Sequence, residues 1–399
     1  MILKRNFLSV FIGIVLCAGC TGKETGGSNF ELAQTAYNSQ NYEQAMSLLT
    51  PLAESGNAPA QFLVGDMYAK GNGVDIDIKT ASDWIRKAAL SGMKEAQYTL
   101  GMAHVVGSGV PQDYAKAYEW IKKSADENYA KAQYQLGLML DSGSGVEKNT
   151  PQAIEYIAKA AEQNHLDAQN TLGMVYMAGK DVPKDTDLGL EWLTKAAIGG
   201  DKRAQYFVGF SLVQKKEASE QDMVQGTEYL KKSAAQNYDK AQLILGFLYF
   251  HGKGLEKDES KAAELYYRAA EQGNEQAAER YVRMAENGSA ENLWKLGRLY
   301  AGGVGLKQDD AKASALYLLA AERGHSGAQY AIGRAFSTGR GLEQDYVAAH
   351  MWMNLSAASG TKEAIKDRDV YSKLMTPEQI AQAQKLAREW TNKQDSQSK

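Results

Sequence analysis

Ala96-Gln97-Tyr98-Thr99-Leu100-Gly101, then Gly107-Ser108-Gly109-Val110, Asp113, Trp120-Ile121-Lys122-Lys123-Ser124-Ala125 and Asn128, make up one period of a pattern that recurs along the chain. The apolar-Gly pair returns as Val64-Gly65, Leu100-Gly101, Leu136-Gly137, Leu172-Gly173, Val208-Gly209, Leu245-Gly246, Leu296-Gly297 and Ile332-Gly333. Its steps are 36, 36, 36, 36, 37, 51 and 36 residues. A fixed period of this length marks an array of supersecondary units stacked on one another.

Each column of the period has a mechanical reading. Alanine stands five residues before the glycine in every copy but one, where Asn292 stands, and an aromatic or bulky residue frequently stands three after it, as in Ala168, Leu172 and Tyr176. A spacing of four puts such residues on one helix face, and the glycine in that face admits a close neighbour. This is a first helix, ended by Gly-x-Gly-Val or Gly-x-Gly-Leu, because glycine tolerates the left-handed conformation that closes helices. Asp77, Asp113, Asn149, Asp185, Asp222, Asp258, Asp309 and Asp345 then form a column of helix N-caps. A second helix follows, with a stripe such as Ala81, Ile85 and Ala88, and an aromatic column beginning Trp84 and Trp120. It ends at Gly92, Asn128, Asn164, Gly200, Asn237, Gly273, Gly324 or Gly360, residues suited to a left-handed cap.

The composition agrees. The chain of 399 residues has 38 glycines and six prolines, against about 28 and 20 in an average chain of this length. That is helix punctuation with few breaks, not disorder or collagen. A hydrophobic share of 44% and a charged share of 23% are ordinary for a globular chain, and a net charge of −3 gives no electrostatic case for nucleic acid. Two cysteines exclude a disulfide framework.

The Ala-Gln-Tyr-x-Leu-Gly, Gly-x-Gly-Val and Trp-x-x-x-Ala-Ala elements resemble the Sel1-like repeat family, a relative of the tetratricopeptide repeat. The resemblance covers roughly 58–360. It implies an all-α fold, an α-solenoid of helix-turn-helix repeats winding as a right-handed superhelix. Repeats one to six span 58–274, and repeats seven and eight span 288–360. The 51-residue step adds one helix, 275–287, which predicts a change of stacking direction and two lobes bent near 275–290. Repeat five replaces its glycine turn with Gln214-Lys215-Lys216-Glu217-Ala218. Residues 29–57 read as a shorter tetratricopeptide-like helix pair. Residues 361–392 read as C-terminal capping helices, with Thr376-Pro377-Glu378 opening the last, and 393–399 as a polar tail.

The N-terminus has different work. Lys4 and Arg5 precede an apolar run from Phe7 to Leu16, too short to span a bilayer comfortably. Ala18-Gly19-Cys20 then resembles a bacterial lipobox, with Cys17 where leucine is usual. The resemblance implies a signal peptide over 1–19, lipidation of Cys20 and a flexible tether over 20–28. Thr21, rather than aspartate, favours anchorage in the outer membrane of a Gram-negative cell, facing the periplasm.

No catalytic constellation emerges. His104, His165, His251, His325 and His350 lack metal-ligand spacing, and the reading includes no metal and no cofactor. Gly302-Gly303-Val304-Gly305 lies between helices and not after a strand, so a turn accounts for it. Ser91-Gly92-Met93-Lys94 has the Ser-x-x-Lys form of penicillin-binding enzymes but lacks their companion motifs.

What remains is surface. In related tetratricopeptide arrays the first helices line a concave groove. Three residues before the glycine stand Tyr98, Tyr134 and Tyr206, which alternatively pack against the neighbouring first helix. One residue after it the column reads Asp66, Met102, Leu138, Met174, Phe210, Phe247, Arg298 and Arg334, with Met177 and Phe250 extending its apolar part. Such a groove suits a peptide or helix of an envelope protein, apolar at its centre and acidic toward repeats seven and eight. The expected function is a non-catalytic scaffold or adaptor. The alternatives are a cell-wall or β-lactam hydrolase and a glycan or peptidoglycan-binding module.

Overall fold

The structure, a computed structural model, describes residues 26–286 and 288–397. All regular structure among them is helical, in twenty-one α-helices and one short 3-10 turn. The chain divides into two compact units after Asp201, rather than near 275–290, where the sequence places the division.

The first unit opens with the pair α1 (Gly26–Asn38) and α2 (Tyr42–Glu54). Four repeats follow: α3 (Ala58–Lys70) with α4 (Ile78–Leu90), α5 (Lys94–Val106) with α6 (Tyr114–Asp126), α7 (Ala130–Ser142) with α8 (Thr150–Glu162), and α9 (Leu166–Ala178) with α10 (Thr186–Ile198). The second unit contains α11 (Lys202–Val213) with α12 (Glu220–Ala235), α13 (Asp239–His251) with α14 (Glu259–Ala270), and the unpaired α15 (Glu275–Ala285). It closes with α16 (Ala290–Gly302) and α17 (Asp310–Glu322), α18 (Ser326–Thr338) and α19 (Tyr346–Ala358), α20 (Lys362–Tyr371) and α21 (Pro377–Gln397). Signal residues 1–19, Cys20 and most of the tether lie outside the described residues. Helix α1 begins at Gly26, inside the span 20–28 expected as a tether.

Most of these helices are 12 or 13 residues long, too short to be stable in water without packing. Their glycine seam supplies the packing. A Cβ placed on Gly101 would lie 2.6 Å from Ile121 Cγ1, and one on Gly137 would lie 2.6 Å from Ile157 Cγ1 and 2.9 Å from the Ala153 carbonyl. The first helix therefore meets its own second helix at backbone distance. The turn needs glycine too: Gly107 and Gly109 have φ of 73° and 69°. At the second-helix ends, Asn128, Asn164 and Asn237 take φ of 57°, 63° and 59° where glycine stands in the other repeats.

Asp113 accepts from Lys116 N at 3.0 Å, and the N-cap column holds in seven repeats. Asp222 is the exception. The N-cap of α12 is Ser219, and Asp222 occupies the third helical position in a reciprocal capping box. The insertion in the turn of repeat five starts this helix earlier, so the aspartate moves inside it.

Buried side chains bond to helix ends, the glutamines between repeats and the serines within them. Gln97 and Gln133 donate to the Ala89 and Ala125 carbonyls at 3.3 Å each. Ser124 Oγ donates to the Lys94 carbonyl at 2.7 Å, and Ser233 and Ser356 make the same bond in their own repeats.

Helix α15 carries the array through the 51-residue step. It starts like a first helix: Asn274 accepts from Ala277 N at 3.0 Å, as Asn57 accepts from Ala60 N at 2.9 Å, and it packs on α14. Val282, 36 residues after Gly246, stands in the seam position. No second helix pairs with it. Instead α15 receives the next repeat's turn, as second helices do elsewhere: a Cβ on Gly305 would lie 3.1 Å from Ala278 Cβ and 3.4 Å from the Asn274 carbonyl.

At the C-terminus Thr376 and Gln379 bond reciprocally, by Thr376 N to Gln379 Oε1 at 2.8 Å and Gln379 N to Thr376 Oγ1 at 3.3 Å. The helix they open runs through the expected polar tail to Gln397, because Gln394 donates to the Glu322 carbonyl at 3.2 Å and ties it to α17.

Candidate interaction surface on the first helices

The tyrosine column spends its rings on the seam between repeats. Tyr98 meets Tyr129, which precedes α7, edge-on at 5.6 Å. Burial pushes its hydroxyl pKa up. Tyr134 lies 4.9 Å from the His165 ring, and its hydroxyl is 3.2 Å from Thr171 Oγ1. Tyr206 meets Tyr238 edge-on at 5.4 Å. All three remain half-buried, so one edge of each ring stays open beside the seam.

The column after the glycine is more open. Met102, Leu138, Phe210 and Phe247 are half-buried, and Met174 is 37% exposed. Phe210 stacks on Tyr206 at 5.6 Å with an interplanar angle of 19°, the geometry expected four residues apart on a helix. Phe247 lies 4.3 Å from the exposed His251 ring. Arg298 and Arg334 are exposed and lie over Trp294 and Tyr330, at 5.2 Å and 6.0 Å. Arg298 also pairs with Glu271 at 3.3 Å.

Three assignments change. Met177 faces its own second helix: a Cβ on Gly189 would lie 2.7 Å from Met177 Cγ. Phe250 packs against the core cluster of Tyr266, Tyr267 and Tyr281. Both stand four residues after the seam glycine, one turn further along the face that meets the second helix. Asp66 is buried, bonded to the Tyr37 hydroxyl and to Lys70 at 2.8 Å, so no acidic group opens this surface in the first repeat. One contributor was not anticipated: Arg280 of α15 lies 5.5 Å over Phe247 and 5.9 Å over Tyr266. Counting 36 residues on from Ala241 reaches Ala277 and marks α15 as a first helix, which would have exposed this residue to the same reading.

Three of the histidines have hydrogen-bond partners within the fold. His104 Nδ1 is 3.1 Å from the Pro111 carbonyl. His165 and His325 cap α9 and α18 through Nδ1. The other nitrogen of His325 donates to Glu291 at 2.7 Å. Burial would raise the Glu291 carboxyl, but the bonds from His325 and Lys295 outweigh it and hold the pKa down. His350 is buried in α19, with its pKa lowered by burial and by Arg368 against an opposing pull from Asp369. No three His, Cys, Asp or Glu side chains gather as metal ligands among the described residues. Ser91 Oγ donates to the Lys87 carbonyl at the end of α4. Gly303 and Gly305, with φ of 63° and 67°, form the turn after α16. On the second helices of the first unit, lysine covers the aromatic column: Lys87 lies 3.7 Å over Trp84, Lys123 4.4 Å over Trp120, and Lys195 4.2 Å over Trp192.

This geometry defines a helix-pair repeat protein of the kind that typically serves as a protein–protein interaction scaffold. The chain belongs to the Sel1 repeat family, which it matches at 58–93, 94–129, 130–165, 166–201, 202–238, 239–274, 293–325 and 326–361. Helix α15 falls in the gap between the sixth and seventh matches. Among solved structures, the chain is similar to a protective antigen of uropathogenic Escherichia coli strains with an SLR fold, at 29% identity and a TM-score of 0.57. That match covers 92% of this chain and 84% of the other. It is also similar to a Sel1 repeat protein from Oxalobacter formigenes, at 29% identity and a TM-score of 0.54, over 60% of this chain and 96% of the other. No curated protein matches the chain.

Proposed function

We propose that the protein is a non-catalytic scaffold of the bacterial cell envelope that binds a segment of a partner protein along its first-helix face. In this reading residues 1–19 direct export, a lipid on Cys20 holds the chain to the outer membrane facing the periplasm, and no metal, cofactor or nucleic acid takes part. The observation that carries it is the half-exposed apolar column at one register position of the first helices, with Phe210 stacked on Tyr206 as its best-formed part. Apolar and aromatic side chains held on a rigid frame are the usual anchors of a bound segment. No helix among the described residues is long and apolar enough to cross a membrane. The assignment of the anchor to Cys20 rests on Ala18-Gly19-Cys20 after the apolar run.

The hydrolase alternative has little to draw on, since Ser91 serves a helix end. The glycan alternative would need open stacking platforms on the second helices, where lysines lie instead. The test is photo-crosslinking from position 206 in intact cells, comparing the chain with its Phe210→Ala/Phe247→Ala form probed from the same position. The expected result is a discrete protein adduct that weakens on substitution while the helical circular dichroism is unchanged. Equal capture by both forms sinks the groove assignment. A Cys20→Ser chain should leave the membrane fraction, and its retention there would sink the anchor.

A further inference from the structure

Three arginines of the second unit each lie over an aromatic ring of the first-helix face. Arg280 lies over Phe247 at 5.5 Å, Arg298 over Trp294 at 5.2 Å and Arg334 over Tyr330 at 6.0 Å. All three are exposed. A guanidinium over a ring meets it without using its N–H donors, which can still fork a carboxylate. Four of the carboxylates nearby are already engaged. Glu264 takes Lys295 at 2.7 Å, Glu291 takes His325 at 2.7 Å, Asp367 accepts from the Tyr330 hydroxyl at 2.8 Å, and Glu271 accepts from the Tyr267 hydroxyl besides pairing with Arg298. Among the described residues, Arg280 and Arg334 pair with no carboxylate. The surface therefore carries positive charge that the chain does not neutralise, next to the apolar Phe210 and Phe247.

We propose that the partner segment is acidic, bound extended, with apolar side chains at Phe210 and Phe247 and carboxylates taken by Arg280 and Arg334, and by Arg298 in exchange for Glu271. This rests on the groove reading above and gives it a chemistry. Helix α15 acquires a role: it interrupts the repeats and places a cation over the last apolar ring.

The test is selection of random twelve-residue peptides displayed on phage, using the lipid-free chain from residue 21, with Arg298→Glu/Arg334→Glu and Phe210→Ala/Phe247→Ala chains in parallel. The expected outcome is enrichment of peptides rich in Asp or Glu, retained about tenfold or more worse by the arginine variant and released by raised salt. Enriched peptides without acidic bias, equal retention by the arginine variant, or no enrichment at all would each overturn the proposal. Peptides that depend on Phe210 and Phe247 but ignore the arginines would leave the groove standing and remove the acidic partner.

Discussion

Changing Glu127 to glutamine should stabilise the second repeat. The glutamine column forms a two-sided bond in some repeats and a one-sided bond in others. Gln133 donates to the Ala125 carbonyl at 3.3 Å, and its Oε1 accepts from Gln163 Nε2 at 2.6 Å. Gln242 does the same, donating to Ala234 and accepting from Gln272 Nε2 at 2.8 Å. Gln97 donates to Ala89, but its buried Oε1 meets no protein donor among the described residues. Thirty residues after Gln97, where Gln163 and Gln272 stand in their repeats, is Glu127, the exposed C-cap of α6. An ionised carboxylate has no proton to donate. A buried unsatisfied acceptor costs about 1–3 kcal/mol and a neutral hydrogen bond contributes about 1 kcal/mol. Part of this is lost to ordering the new side chain. A net gain of about 1 kcal/mol follows. Repeat arrays need not melt as one transition, so the assay is amide hydrogen exchange of α5 and α6. A gain of this size slows exchange from local opening about fivefold. Glu127→Ala separates removal of the carboxylate from gain of the amide, and Gln163→Ala should speed exchange in α7 and α8. Unchanged or faster exchange in Glu127→Gln, or protection equal to that of Glu127→Ala, would refute the reasoning.

Glycines with positive φ should separate into two classes on thermal melting. Gly109→Ala, whose Cβ would fall 2.1 Å from Ser82 Oγ at a φ of 69°, combines overpacking with left-handed strain and should cost about 3 kcal/mol or more. Gly92→Ala, at a φ of 87° with nothing within 4 Å, should cost about 1–2 kcal/mol, and Gly92→Asn less. Acid should loosen α19 and α20 through His350. Its folded pKa is depressed, so the unfolded chain binds more protons, and stability falls as pH drops below about 6.5. His350→Met should flatten that slope in Tm against pH, and an unaltered slope would assign the effect elsewhere. Asp222 is held at about 2 by bonds from Lys215 and Ser219. In Ser219→Ala its carboxyl should climb toward about 3.9, as read by carbon-13 NMR titration.

The punctuation of the array was legible because each signal is local and repeated. A glycine at backbone distance from a second helix, a left-handed Gly or Asn and an Asp N-cap all act within one helix pair. Eight copies in phase leave little room for another reading. The face each side chain occupies was harder to read. Met177 and Phe250 look like part of the apolar surface, but four residues past the glycine they share its seam. Asp66 looks like an exposed acid until Tyr37 and Lys70 are placed beside it, and Tyr37 comes from a helix outside the regular repeats. Asp222 keeps its sequence phase and loses its cap role because Ser219 competes for it. For Asp66 a neighbour outside the regular repeats decides, and for Asp222 the lengthened turn of its own repeat.

The same logic bears on how a repeat surface achieves specificity. An array of identical units offers a partner several equivalent positions, each displaced by one repeat, and affinity alone cannot choose among them. Something must break the equivalence. In the first unit Met102, Leu138 and Met174 are near substitutes for one another and set no register. In the second unit the positions are unlike: Phe210 stacks on Tyr206, Phe247 lies under Arg280, and arginine replaces the apolar residue at 298 and 334. A segment shifted by one repeat there would set a carboxylate against phenylalanine or leave an arginine unforked, and either mismatch removes a charge-assisted bond. The interruption that costs the array its regular step is thus also the feature that gives a bound segment one position along it.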